Sequence, residues 1–539
     1  MGEGGSPATA SEARFIGDPD ISGADCYQEA PSMASTRDNM PTGSEKQDDG
    51  SDVKHDVETA SSIHEAQSEE ARGWRVWAKK LMSLGHVEVR GIAPIPIEER
   101  TVTRTVNIFT LWWCMNANVL PITFGMLGAT YGLSLRDASL IIVFFTLLTT
   151  PIPAYLSTLG PKTGMRQMIQ ARYSFGRHLV AVPVLLNLAT LTGFCVIMAV
   201  IGGQCLSAVG EGNVSPAVGI VIVALLALVI SFCGFTVLHL YERFAWIPAV
   251  IAIIIAIGCG GSHLKEQAPT EPATPQSVMS FGMIVASYMI PWACLASDFT
   301  TYLEPYTPSK KIFVYTYLGL ALPTILLMIL GAAIASSIPL VPAWQQAYDE
   351  NLVGGVLSAM LTSASTFGKV VTVILSFTLL GNIAATSYSI TLNFQLLAPA
   401  LKKVPRSVFA LLVTAIIIPV GIRAATDFFA SLENFIALIG YWSAAFLSVI
   451  LVEHFWFRKA DCERYETEAW EDVRKLPVGA AALGSCVLCF ALVIPCMAQV
   501  WWTGPIAEVT GDIGFELAFV VSGLLYVPFR TLERRLSGR

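Results

Sequence analysis

Two stretches put polar groups where an apolar solvent would surround them. "LWWCMNANVLPITFG", Leu111–Gly125, carries Asn116, Asn118, Pro121 and Thr123 inside a run with no charged residue from 105 to 135. "SYMIPWACLASDF", 287–299, sets Pro291 and Trp292 among small residues and reaches Asp298. A proline inside a helix removes one hydrogen bond and collides with the carbonyl four residues back. A buried amide without a partner costs roughly 2–7 kcal/mol. Broken backbone at membrane depth survives only where it is buried in protein or lines a cavity. Both stretches therefore predict binding chemistry, with freed backbone groups, amides and an indole around a chamber. Paired interrupted helices in corresponding positions of two halves point to a transporter's substrate site.

Two further apolar runs carry polar groups. "LLNLATLTGFCVIMAVIGGQC" contains Asn187, Thr190, Thr192 and Gln204, with Gly193 and Gly202 for close packing. "LLGNIAATSYSITLNFQLL" contains Asn382, Thr386, Ser387 and Ser389. Thr190, Thr192 and Ser389 read as interhelical hydrogen bonds, each worth about 0.6 kcal/mol. Asn116 and Asn382 read as cavity-facing. Few ionisable groups lie at depth: Glu433, then Asp298, Glu453 and His454 at the ends of runs. Each is either a structural or interfacial charge or part of a proton relay, and Glu433 is the deepest.

The elements that must position these groups are membrane helices. Of 539 residues, 53% are hydrophobic and 14% charged, against about 25% charged in soluble domains. The apolar runs predict about twelve helices, at 106–132, 137–158, 179–208, 215–236, 244–262, 278–297, 312–336, 367–397, 407–422, 427–455, 477–500 and 513–530. With the N-terminus placed inside, nineteen lysines and arginines fall in inside segments and four outside. The four are Arg136, Lys265, Lys369 and Arg423. This bias sets an orientation with both termini cytoplasmic and supports an even count of spans. The net charge of −7 reflects acidic tails and loops and gives no sign of nucleic-acid binding.

Residues 1–104 form a cytosolic tail, rich in Ser, Gly, Asp and Glu over the first 70 and read as disordered. Within it, 70–85 reads either as an amphipathic surface helix carrying Trp74, Trp77 and Leu81 or as a solvated linker. Lys46 and Lys54 are exposed positions for ubiquitin there. Asn213 opens a glycosylation sequon, and 340–366 reads as an outside loop with a re-entrant or surface helix. Cys486 and Cys489 form a C-x-x-C pair on an apolar face; with no Cys/His cluster beside them they read as small hydrophobes.

These motifs together resemble the fungal-type purine-cytosine permeases of the nucleobase:cation symporter-1 family. The resemblance runs from about Gly91 to the C-terminus through "GIAPIPIEERT", "GPKTGMRQMIQARYSFGR", "VIGGQCLSAV", Trp292 with "ASDF", "IGYW" and "GPIAEVTGDIGFELAF". It implies an all-α polytopic membrane protein with a leucine-transporter-type fold. Two inverted five-helix repeats (about 105–263 and 277–455) would be followed by a loop at 456–476, two extra helices at 477–530 and a short tail at 531–539. Substrate would sit between spans 1, 3, 6 and 8. Family members carry cytosine, adenine, guanine or hypoxanthine inward with protons, and a related branch carries vitamin B6.

Residue by residue, Trp292 matches the sixth-span tryptophan. The third-span pattern Gly-Trp, with Asn four residues after the Trp, stands here as Gly193-Phe194 and Met198. Of the eighth-span pattern Asn-Asn-x-Pro-Asn, Asn382 is kept, and Ile383, Ala385 and Thr386 replace the rest. In sodium-coupled relatives a hydroxyl pair precedes that Asn; here stand Leu380 and Gly381, so no sodium site is expected. The expected function is proton-coupled import of a planar heterocycle across the plasma membrane, without metal or other cofactor. The expected site is Asn116, Asn118, Pro121, Thr123, Phe194, Met198, Trp292, Asn382 and Thr386, with Glu433 and Asp298 for protons. Import of vitamin B6 or another small ring is the alternative within this class, and a non-transporting substrate sensor the alternative outside it. No nucleophile–base set suggests an enzyme.

Overall fold

The computed structural model describes residues 91–232 and 244–539. The segment 70–85, Lys46, Lys54 and Arg243 lie outside them. Among the described residues the architecture is all-α apart from a hairpin of two-residue strands, Ala498–Gln499 and Trp502–Thr503, and one isolated bridge between Val102 and Leu303. Seven helical stretches are long and apolar enough to cross a membrane, accompanied by four shorter apolar helices. Their outer faces expose Leu140, Phe144, Leu185, Ile251 and Ile254, side chains that hydrocarbon solvates and water does not.

In chain order the main helices are α1 (Val106–Asn116), α2 (Val119–Thr130), α3 (Leu135–Thr149), α4 (Pro151–Ser157), α5 (Ala181–Val209), α6 (Pro216–Phe232), α7 (Trp246–Gly260) and α8 (Pro275–Met289). There follow α9 (Ser309–Ser337), α10 (Pro342–Met360), α11 (Ser365–Phe377), α12 (Leu379–Leu397), α13 (Arg406–Ala424), α14 (Phe428–Val452), α15 (Ala480–Cys496) and α16 (Gly514–Ser537). Three expected spans are each two helices. The first divides at Ala117–Asn118, the second at Thr150–Pro151 and the eighth at Thr378. The segment 340–366 contains a helix, α10, bent at Asn351 and Leu352.

Helix ends follow local chemistry. The Asn118 side chain accepts from Leu120 N and starts α2, with Pro121 in the first turn, where a helix needs no intrahelical N–H. A Thr274–Ser277 capping box with Pro275 in the first turn starts α8. That helix ends where Pro291 lacks a donor, and 3-10 turns follow at Ile290–Cys294 and Ala296–Phe299. Helix α4 buttresses these turns: Ser297 Oγ donates to Leu156 O at 2.7 Å and Thr300 Oγ1 to Ser157 O at 2.8 Å.

Helices α2 and α9 touch backbone to backbone. A Cβ on Gly125 would lie 1.9 Å from Met328 O, and one on Gly331 the same distance from Ile122 O. Glycine at both positions is a condition of this approach. Gly125→Val should lower stability by about 1–3 kcal/mol or more, read as a lower thermal midpoint of the detergent-purified protein. Gly258→Ala, in α7 with nothing near its Cβ, should leave the midpoint unchanged or raise it.

Candidate functional site

The break between α1 and α2 is repaired by side chains. Asn116 Nδ2 donates to Trp112 O at 3.1 Å, and Asn118 Nδ2 to Met115 O at 2.8 Å. Asn382 Nδ2, from α12, donates to the same Met115 O at 2.7 Å. Tyr288 Oη, from α8, donates to Asn116 Oδ1 at 2.9 Å. Met115 O, which a continuous helix would satisfy, is thus satisfied by Asn118 and by Asn382 of α12.

Beside this break lies a closed cavity lined by Leu120, Leu191, Phe194, Met198, Pro291, Trp292, Leu295, Asn382 and Thr386. Its free volume is about 10 Å³, roughly enough for one water, so a ring enters only if the walls part. Phe194, Met198, Trp292, Asn382 and Thr386 are brought together as expected. Asn116, Asn118, Pro121 and Thr123 are not, which corrects the expectation that they line the site. Both asparagine side chains spend their hydrogen bonds on the break, Pro121 shapes the first turn of α2, and the Thr123 hydroxyl donates back to Val119 O at 3.2 Å.

The polar capacity of the cavity wall is small. Asn382 Oδ1 accepts from Thr386 Oγ1 at 3.1 Å, and its amide hydrogens are turned to Met115. Trp292 Nε1 is buried with no partner. The two aromatic walls are propped from behind. Trp112 meets Trp292 edge-on, with centroids 5.7 Å apart, and Phe435 meets Phe194 edge-on at 5.7 Å. Phe435 also lines a larger apolar groove between α5, α13 and α14, and its ring fills the place a Cβ on Gly193 would need.

Both ends of the chamber are shut. At the end remote from the basic loops, the Tyr131 hydroxyl donates to Glu433, tying α2 to α14. At the basic end, Arg166 reaches three segments: it donates to Gly91 O at 3.1 Å, Asp298 O at 3.3 Å and Tyr388 Oη at 3.0 Å. Asp298 Oδ1 accepts the Gln167 N–H at 2.9 Å. Arg100 donates to the carbonyls of Ile95 and Pro161 at 2.8 and 2.9 Å, and Val102 forms an isolated bridge with Leu303, after the sixth span.

Glu453 and His454 are held by partners among the surrounding side chains. Glu453 is paired with Arg530 at 3.3 Å and Arg458 at 3.2 Å, and accepts from Tyr526 Oη at 2.8 Å. His454 lies between the hydroxyls of Tyr155 and Tyr465, at 2.9 and 3.1 Å. Thr190 does make an interhelical bond, accepting from Trp442 Nε1 at 3.0 Å. Ser389 does not: its hydroxyl is buried and has no partner.

The family model described as "Permease for cytosine/purines, uracil, thiamine, allantoin" matches residues 94–469. The chain belongs to this permease family. The Emericella nidulans purine-cytosine permease fcyB is 33% identical over 461 residues, covering 84% of this chain and 90% of its own. The Saccharomyces cerevisiae vitamin B6 transporter TPN1 is 27% identical, covering 93% of this chain and all of its own. The fold is that of Mhp1, a nucleobase-cation-symport-1 transporter, in a closed conformation with bromovinylhydantoin bound. The TM-score is 0.64 at 16% identity, over 83% of this chain and 96% of that one. This permease is therefore a multi-pass membrane transporter of leucine-transporter-type fold, and not an enzyme.

Several residues escaped the sequence reading. Trp112, Tyr288 and Phe435 back the cavity walls, and Arg100 and Arg166 close the basic end. Apolar runs hide an aromatic's role, and loop arginines read only as orientation signals. Asn382→Asp should test the repair of the break, since a carboxylate cannot donate to Met115 O. Losing this bond and disturbing Thr386 should cost uptake about tenfold, at about 1 kcal/mol per bond or somewhat more, as measured with labelled nucleobase and normalised to surface protein.

Proposed function

We propose that this permease imports a small planar heterocycle of the nucleobase type across the plasma membrane, driven by protons, through alternating access. The observation that carries the reading is the closed cavity between the two broken spans, walled by Phe194 and Trp292. A flat ring gains about 1–3 kcal/mol from each aromatic face it stacks on. Its donor–acceptor edge would meet Trp292 Nε1, Asn382 Oδ1 and the Thr386 hydroxyl. The purine-cytosine permeases among its relatives support this substrate class.

Vitamin B6 or a similar ring is the second reading. Met198 puts a thioether on the wall, which leaves few groups to read a polar edge. The likeness to the vitamin B6 transporter supports it too.

Basic residues at the end held by Arg166 favour placing that end in the cytosol, with both termini. A ring would enter when Tyr131 and Phe435 release the outer end, and leave when Arg166 releases the inner one. Glu433 and Asp298 are the proton carriers of this scheme, because each puts its charge into a contact that must part. Charge-assisted hydrogen bonds are about twice as strong as neutral ones, so a proton gained at either changes how tightly its gate is held. Leu380 and Gly381 offer no side-chain oxygen for a hard cation.

Two experiments test the reading. In cells lacking other permeases, a competition panel of bases and pyridoxine should identify the transported ring, and Trp292→Ala should abolish its uptake at normal surface level. No uptake of any ring by the surface-expressed wild type would sink the importer reading in favour of a sensor. Replacing external sodium should leave uptake intact while a collapsed pH gradient stops it. Glu433→Gln should remove the dependence on that gradient; unchanged dependence would take Glu433 out of the proton path.

A further inference from the structure

Polar side chains continue beyond the cavity along both of its long walls. On α12, Asn382 and Thr386 face the cavity, and Ser389 and Asn393 follow at the seventh and eleventh positions after Asn382. On α5, which runs the opposite way, Met198, Phe194 and Leu191 face it, and Asn187 stands eleven positions before Met198. At 3.6 residues per turn, these spacings stay on one helix face. Cys195 Sγ lies 3.9 Å from Ile383 O and sets the antiparallel register of the two helices. Eight residues toward the basic end from that contact, Asn187 comes level with Thr391, between Ser389 and Asn393. At the helical rise, this level is about 12 Å below the contact.

Three side chains at this level are buried and carry unbonded polar atoms, while Thr391 bonds to Tyr388 O. Asn187 is 0% exposed, with neither Oδ1 nor Nδ2 bonded. Ser389 Oγ is equally buried and without a partner, and so is Asn393 Nδ2. Gln167, on the plug at the basic end, also leaves both ends of its amide unbonded. Buried polar groups of folded proteins nearly always have partners, and the asparagines of the helix break do. Exchanging an unbonded group for an apolar one of the same shape should favour the closed form shown here. Left unbonded, these groups cost stability in this state.

A ring released toward the basic end must pass this level once the Arg166 clamp parts. We propose that Asn187, Ser389 and Asn393 form a second binding station for the planar heterocycle on its release route. In the closed form they lack partners because the ring's donor–acceptor edge is their partner. Asn amides can pair such an edge with two bonds at once, and Ser389 adds one more donor or acceptor. The inference rests on the importer reading, with the basic end cytosolic.

Uptake kinetics per surface transporter test it, using the ring that the wild type takes up best. Asn187→Leu and Asn393→Leu should each lower Vmax about tenfold, and Ser389→Ala less, by the worth of one or two hydrogen bonds. KM should stay within about twofold, because entry and first binding occur above this level. Asn187→Ser, which keeps a hydroxyl, should recover part of the loss. Unchanged Vmax in all three variants would overturn the station. So would a defect that disappears at acidic external pH, since the track would then serve protons. If the leucine variants fail to reach the surface, Ser389→Ala decides alone, and unchanged Vmax there overturns the proposal. Failure of the wild type to take up any ring is a separate outcome that removes the importer reading itself.

Discussion

A backbone broken inside hydrocarbon must find its hydrogen bonds in the protein, and most of this structure is arranged around that requirement. At Ala117–Asn118 the peptide groups lose their helical partners, and water is not available to replace them. Met115 O is answered twice, by Asn118 and by Asn382 from α12. Asn116, the last residue of α1, donates back to Trp112 O and accepts from Tyr288 in α8. The repair therefore locks spans 1, 6 and 8 together at the point where they surround the cavity. A continuous first span would need none of these asparagines and would leave α12 and α8 free to settle elsewhere.

The same bonds leave the chamber poor in polar groups. Asn382 turns its donor to the break and shares its oxygen with Thr386. The chamber walls are mainly aromatic and apolar, with Trp112 and Phe435 packed behind the rings of Trp292 and Phe194. A chamber with so small a free volume belongs to a molecule shut at both ends. The two closures differ in kind. One rests on a single hydroxyl–carboxylate contact and an aromatic wedge, the other on guanidinium groups that gather backbone carbonyls from several loops.

Among charged groups, burial alone did not mark function. Glu453 is as deeply buried as any, yet two arginines and Tyr526 surround it, as expected of a structural charge that must be paired where water is excluded. Glu433 and Asp298 differ because each sits on a contact between elements that close an end of the chamber.

The sequence by itself determined the all-helical membrane architecture, the two broken spans and the aromatic and amide side chains near them. Apolar runs, proline placement and the cost of a lone amide in hydrocarbon are properties of the chain, legible without coordinates. Phe194, Met198, Trp292, Asn382 and Thr386 are gathered into one site only through the resemblance to the permease family's third-, sixth- and eighth-span patterns. Which way an amide points is not legible in the sequence. Asn116 and Asn118 carry the same chemistry as Asn382, but only the packing of α8 and α12 against the break decides that they face backbone rather than cavity. Ser389 reads as a bond between helices until the register of α5 and α12 leaves its hydroxyl alone. Arg166 reads as an orientation signal until the fold brings Gly91, Asp298 and Tyr388 to it. Each of these depends on groups distant in sequence meeting within about 3 Å, and only the tertiary structure sets that distance.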